Sequence, residues 1–149
     1  MDDVRLNLEG LTGYFLEDLS VGQTAVYAKT ITETDIVLYA GISGDTNPVH
    51  LNQEYASTTM FQGRIAHGML TASFISTVLG TKLPGPGCIY LSQNLKFKAP
   101  VRIGDTVKAR VTVTEIVPEK RRVLIKTTVS VGDTVVVDGD AILMVPSRG

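Results

Sequence analysis

The stretch from Ala66 to Gly80 is apolar nearly all the way round a helix: Met69, Leu70, Ala72, Phe74, Ile75, Val78 and Leu79 leave no continuous polar face. A surface helix carries one apolar stripe and a charged back, so a helix apolar on most sides has to be enclosed. Lipid is not the enclosure, because Thr71, Ser73, Ser76 and Thr77 interrupt a stretch well short of the ~20 residues a membrane span needs. The sequence after it supplies the alternative. Past the rigid turn "LPGPG" (83–87), Ile89, Leu91, Leu95 and Phe97 alternate with Ser92, Asn94, Lys96 and Lys98. Val107, Ala109, Val111 and Val113 then alternate with Lys108, Arg110, Thr112 and Thr114. Val123–Val131 and Thr134–Met144 continue the pattern, joined at Gly132 and Asp133, a pair suited to a tight hairpin. Each strand has one wet face and one dry face, and a dry sheet face curled around an apolar helix satisfies both. The expected class is α+β, with one long helix wrapped by a meandering antiparallel sheet.

Upstream, Val21–Ile31 reads as a strand opened by a turn at Gly22. Thr32 and Asp35 then form a T-x-x-D capping box for a helix carrying Ile36, Val37, Tyr39, Ala40 and Ile42, broken by Gly41 and Gly44. Gly80 is placed as the stop of the long helix. In residues 1–20, Tyr14 and Phe15 are the candidates for packing the first segment onto the domain. One domain over 1–149 is expected from the length, with no internal repeat. Open sheet edges are commonly covered by pairing, so a homodimer is expected.

A formal net charge of -1 without a basic block removes the electrostatic footprint of a nucleic-acid binder. Cys88 is the single cysteine and cannot form an internal disulfide, and no charged start followed by an apolar run marks a secretion signal. The expected setting is cytoplasmic, with no nucleic-acid or membrane partner.

"GISGDTNPVHLN" (41–52) carries the chemistry. Asp45 and His50 stand five positions apart around an Asn-Pro pair. Asn47 is biased toward extended backbone and suits an N-cap, Pro48 suits the first helical position, and His50 then falls in the first turn. The positive helix end there predicts a largely neutral imidazole at neutral pH. On one continuous helix the two side chains would stand about 140° apart, whereas a loop leading into a helix lets them converge. The other histidine, His67, opens the buried helix in "RIAHGM" (64–69) beside Gly68. With no side chain at Gly68, a ligand atom can approach the unsatisfied N–H groups of that helix end and leave a developing carbonyl charge there.

Blander readings stand beside these: Asp45 as a cap, His67 as a structural side chain, Gly68 as room for close packing. Asp45, His50 and His67 also match a two-histidine, one-carboxylate metal triad in type, without the i, i+4 histidine pair that fixes geometry. No G-x-S-x-G supports a serine nucleophile, and "GPG" (85–87) lacks every phosphate-loop feature.

Tyr39–Gly80, containing S-G-D-x-N-P-x-H and the later H-G-M, resembles the MaoC-like, (R)-specific enoyl-CoA hydratase family, especially the short members that feed polyhydroxyalkanoate synthesis. "LPGPGCIYLSQNLKFKAPVRIGDTV" (83–107) and "VVVDGDAILMVP" (135–146) extend the likeness over about 125 residues. The resemblance implies the hot-dog fold in a homodimer, and reversible syn addition of water to a trans-2-enoyl-CoA, giving (R)-3-hydroxyacyl-CoA. It makes Asp45 and His50 the catalytic pair, Gly68 the N–H donor to the thioester oxygen, and Ser76 a serine of the substrate site, with an acyl-CoA thioester as partner and no metal or redox cofactor. Asn52 departs from the acidic residue many members carry at that place. A dehydratase acting on another acyl thioester, a non-catalytic acyl-binding subunit and an acyl-CoA hydrolase are the competing functions.

Overall fold

In the computed structural model, which describes residues 10–149, the dry strand faces close around the apolar helix. The elements in chain order are β1 (Thr24–Thr30), α1 (Glu33–Ser43), α2 (Pro48–Leu51), α3 (Gln53–Ser57), α4 (Gly68–Thr81), β2 (Ile89–Phe97), β3 (Thr106–Val117), β4 (Arg122–Val131) and β5 (Thr134–Met144). The strands form one antiparallel sheet in the order β1-β3-β4-β5-β2. One row of partners, Tyr27–Ala109–Val129–Val137–Phe97, runs across all five.

The alternation read from the sequence is the alternation observed in β3. Val107, Ala109, Val111 and Val113 are buried, while Lys108, Arg110 and Thr114 are exposed. β4 adds Val123, Ile125 and Val129, and β5 adds Val137, Ala141 and Leu143. Against this face lie Phe74, Ile75, Val78 and Leu79 of α4, each contributing roughly 1.5–3 kcal/mol by leaving water. Phe74 also meets the Tyr27 ring at 5.9 Å. This is the hot-dog arrangement of a helix wrapped by a sheet, and no helix among the described residues is long and apolar enough to cross a membrane.

Five local expectations change. β1 begins at Thr24, because Gly22 and Gln23 are held by the turn whose Gly22 N–H donates to Val113 O. Gly80 lies inside α4 rather than ending it; Lys82 is the cap, donating its N–H to Val78 O. β2 does not present a clean dry face: a register shift between Tyr90 and Ser92 breaks the alternation, and Ile89, Leu91 and Phe97 stay exposed while Leu95 packs on the core. The cause is its edge position, where one side has no strand to pair with. In α1, Ile36 and Ala40 are buried but Val37 and Ile42 face out. Leu16 and Leu19, rather than Tyr14, anchor the first described segment in the core. Residues 1–9 lie outside the described residues.

Candidate active site

The site is built by the segment that carries no regular pairing. The capping box predicted at Thr32 and Asp35 starts α1, and α1 ends at Gly44, whose left-handed backbone (φ +79°) glycine adopts without strain. From there each polar side chain fixes the backbone just ahead. Ser43 Oγ accepts from Asp45 N–H at 3.1 Å, Asp45 Oδ1 accepts from Asn47 N–H at 3.3 Å, and Asn47 Oδ1 caps α2 through Val49 N–H at 3.1 Å. Pro48 occupies the first position of α2, as its fixed φ allows.

That path places His50 in a buried position with its Nδ1 2.9 Å from Ile65 O. A carbonyl can only accept, so Nδ1 carries the hydrogen and Nε2 keeps a free lone pair. Burial pushes the His50 imidazole below the ordinary histidine range, and His67 nearby adds to that; the Ile65 carbonyl and Asp45 oppose it. The direction is the one expected from the sequence, but the leading cause is burial rather than the end of a four-residue helix.

A carboxylate oxygen of Asp45 and a ring nitrogen from each of His50 and His67 lie within 4.8 Å of one another. Two groups at that spacing can share one water, since each hydrogen bond spans about 2.8 Å. The same three residues are the metal candidate of the sequence, and ring geometry bears on both uses. His50 and His67 stack with centroids 3.8 Å apart and planes 27° from parallel. Lone pairs lie in the ring planes, so stacked rings direct them side by side rather than toward a common ion. The arrangement favours proton transfer over metal ligation.

Gly68 begins α4, and His67 before it supplies no side-chain cap, so the first N–H groups of the helix are left free of one. A cavity of about 410 Å³ opens beside Gly68, walled by Met60, Phe61, Ile65, Phe97 and Val101. A Cβ at Gly68 would stand 2.8 Å from the Phe97 ring, so glycine keeps this approach open. One turn along, the Thr71 hydroxyl lies buried and unpartnered in the same wall. Ser76 lies elsewhere: it faces a second cavity, of about 580 Å³, shared with Tyr39, Met69, Ser73 and Tyr90. The two cavities flank α4 on different stripes, 68 and 71 against 69, 72, 73 and 76.

Residues 19–137 match the model of the MaoC like domain. The chain is 60% identical to an (R)-specific enoyl-CoA hydratase of Rhodospirillum rubrum, over 97% of this chain and 100% of that one. The chain belongs to the MaoC-like family. A 3-hydroxybutyryl-CoA dehydratase of Methylorubrum extorquens is 53% identical over 90% of this chain and 85% of its own. Among solved structures, the unliganded R-hydratase PhaJ1 of Pseudomonas aeruginosa superposes with a TM-score of 0.86 at 47% identity, covering 91% of this chain and 88% of that one.

Two features of this MaoC-like chain were not visible as site elements in its sequence. Arg64 donates from Nε to His50 O at 2.6 Å, and its guanidinium pairs with Glu33 through bonds of 2.8 and 3.0 Å. It thereby ties the start of α1 to the histidine turn through pairs 31 and 14 positions apart, spacings no local signal reveals. Asn52, the departure from the family pattern, caps α3 through Tyr55 N–H at 2.9 Å. Asparagine and aspartate cap about equally well, so the exchange leaves the local fold intact.

Proposed function

We propose that Asp45 and His50 hydrate a trans-2-enoyl-CoA at this site, making the chain an (R)-specific enoyl-CoA hydratase and, in reverse, a 3-hydroxyacyl-CoA dehydratase. One observation carries the assignment: the Asp45 carboxylate and the His50 ring converge beside the uncapped end of α4, with His50 Nε2 free to accept. Asp45 takes a proton from the water while His50 Nε2 orients it, and the water oxygen bonds to C3. The C2=C3 electrons move toward the thioester, whose oxygen gathers charge at Gly68 N–H. The proton that Asp45 and His50 hold between them then goes to C2, which completes syn addition and restores both groups. General acid-base work of this kind is worth ~10²–10⁴-fold, and one oxyanion donor roughly 2.7–4 kcal/mol.

A thioester has two arms and the start of α4 has two flanking cavities, so one arm lies in each, with Ser76 in the wall of the second. The exposed apolar residues Ile89, Leu91 and Phe97 on the β2 edge support a homodimer formed across that edge, from a single-domain chain. A cytoplasmic setting and precursor supply for polyhydroxyalkanoate belong to the same reading.

The test is loss of the conjugated-enoyl absorbance when purified protein meets crotonyl-CoA and longer trans-2-enoyl-CoAs, with chiral analysis of the product. Loss yielding the (R)-3-hydroxyacyl-CoA is expected. Activity confined to acyl-carrier-protein thioesters, or release of free thiol from a saturated acyl-CoA, would replace the reading with the dehydratase or hydrolase alternative.

A further inference from the structure

His67 contacts Asp45 and His50, adjoins Gly68, and has no role in the reaction as written. It is 1% exposed and stands at the N-cap of α4, the residue before Gly68. An N-cap normally favours Ser, Thr, Asp or Asn, whose side chains bond the helix's own free N–H groups. The His67 imidazole makes no such bond. It turns away, and its Nε2 lies 2.9 Å from the backbone oxygen of Asp45, so Nε2–H donates to that carbonyl. One face of the ring stacks on His50 at 3.8 Å, and Tyr39 packs against the ring at 4.7 Å with planes tilted by 56°.

The remaining ring nitrogen, Nδ1, is buried without a partner. Packing alone does not require that: phenylalanine would fill the space and stack on His50 with no polar atom to bury. What phenylalanine lacks is the hydrogen for Asp45. Asp45 needs it, because the residue is exposed and follows the left-handed turn at Gly44. Its other described hydrogen bonds are the local ones with Ser43 and Asn47. The bond from His67 joins this loop to the start of α4, whose Phe74, Ile75, Val78 and Leu79 lie in the core.

We propose that His67 is the positioning residue of the site, holding the Asp45 backbone by its Nε2–H and the His50 ring plane by stacking, so that both stay in register with Gly68 N–H. The proposal rests on the hydratase reading for its kinetic consequence and on geometry for its structural one. His67 contacts neither water nor thioester in the reaction and acts through Asp45 and His50.

Two variants of the full chain separate the contributions. His67→Phe keeps the stack and loses the donor; His67→Gln keeps an N–H donor and loses the ring. With crotonyl-CoA, His67→Phe is expected to lower kcat by about 10- to 100-fold, the scale of an ångström-sized misplacement, with KM within about threefold. His67→Gln is expected to recover part of that loss. Folded variants that both turn over within about twofold of the wild type would overturn the proposal, as would a rise in KM with kcat unchanged.

Heteronuclear NMR of the wild-type imidazoles decides the same point if the variants fail to fold. It is expected to place the His67 hydrogen on Nε2, slow to exchange, and the His50 hydrogen on Nδ1. A His67 ring with no hydrogen on Nε2 would overturn the tether. A wild type inactive on every enoyl-CoA would instead sink the hydratase reading, and the NMR result would still decide the tether.

Discussion

The sheet and the 43–68 segment are held together in opposite ways. Between β3, β4 and β5, most buried positions repeat the same solution: a small or branched apolar side chain in the core, with a ladder partner on each side and Thr127 the polar exception. The 43–68 segment has almost no repetition. Ser43, Asp45, Asn47, Asn52, Arg64 and His67 each make particular hydrogen bonds that no neighbour duplicates. Redundant packing tolerates a change at one position by drawing on the rest, whereas a chain of single bonds passes any change on to the reacting groups. Stability is therefore concentrated in the sheet and α4, and chemistry in the loop.

The sharpest way to break that division is in the loop. Asp45→Asn and His50→Gln should each fold, by circular dichroism, yet lose ~10²–10⁴-fold in kcat, equivalent to roughly 2.7–5.5 kcal/mol of transition-state stabilisation. A rate near that of the wild type in either variant ends the assignment.

Ile75→Ala addresses the other half. Ile75 is fully buried in α4, so the substitution should cost about 2–5 kcal/mol in denaturant unfolding while the folded fraction keeps its kcat. A large fall in kcat per folded molecule would show that core and site are not separable.

Gly68→Ala joins the two regions and should act through Phe97, which a Cβ would meet at 2.8 Å. A loss of about tenfold in kcat/KM, close to 1.4 kcal/mol, is expected, with partial recovery in the Gly68→Ala, Phe97→Leu double variant. Equal loss in single and double variants would assign the effect to the backbone rather than to the ring.

The smallest effect is in pH. The reaction uses His50 with Nε2 free, and burial holds its pKa down in the folded protein. Activity should stay level through neutral pH and fall on the acid side, with the His50 step below the ~6.5 of an ordinary histidine. The same shift means the unfolded chain binds the proton more readily, so the contribution of His50 to stability is present above the unfolded value and lost as pH falls through the folded one. An acid limb centred above ~6.5 would contradict the burial argument.

Periodicity alone led to the buried helix, the alternating strands of β3, β4 and β5, the capping box at Thr32 and the Asn-Pro start of α2, because those features depend on residues a few positions apart. The spacing of Asp45 and His50 around Asn-Pro and the glycine at the start of α4 singled out Asp45, His50 and Gly68, and the resemblance of 39–80 to a known family implied their roles. The misread ends have local causes too weak to see in sequence: Gly80 continues α4 because the packing on either side outweighs glycine's poor helix propensity, and β2 loses its alternation at an unpaired edge.

Tertiary structure alone decided which distant groups meet. Glu33 with Arg64, His67 with the Asp45 carbonyl and the stacked His50–His67 rings all depend on where loops return in space. A short-range pattern fixes which way a side chain faces along its own helix or strand. The partner across the fold is set by how those elements pack, and no spacing along the chain contains it.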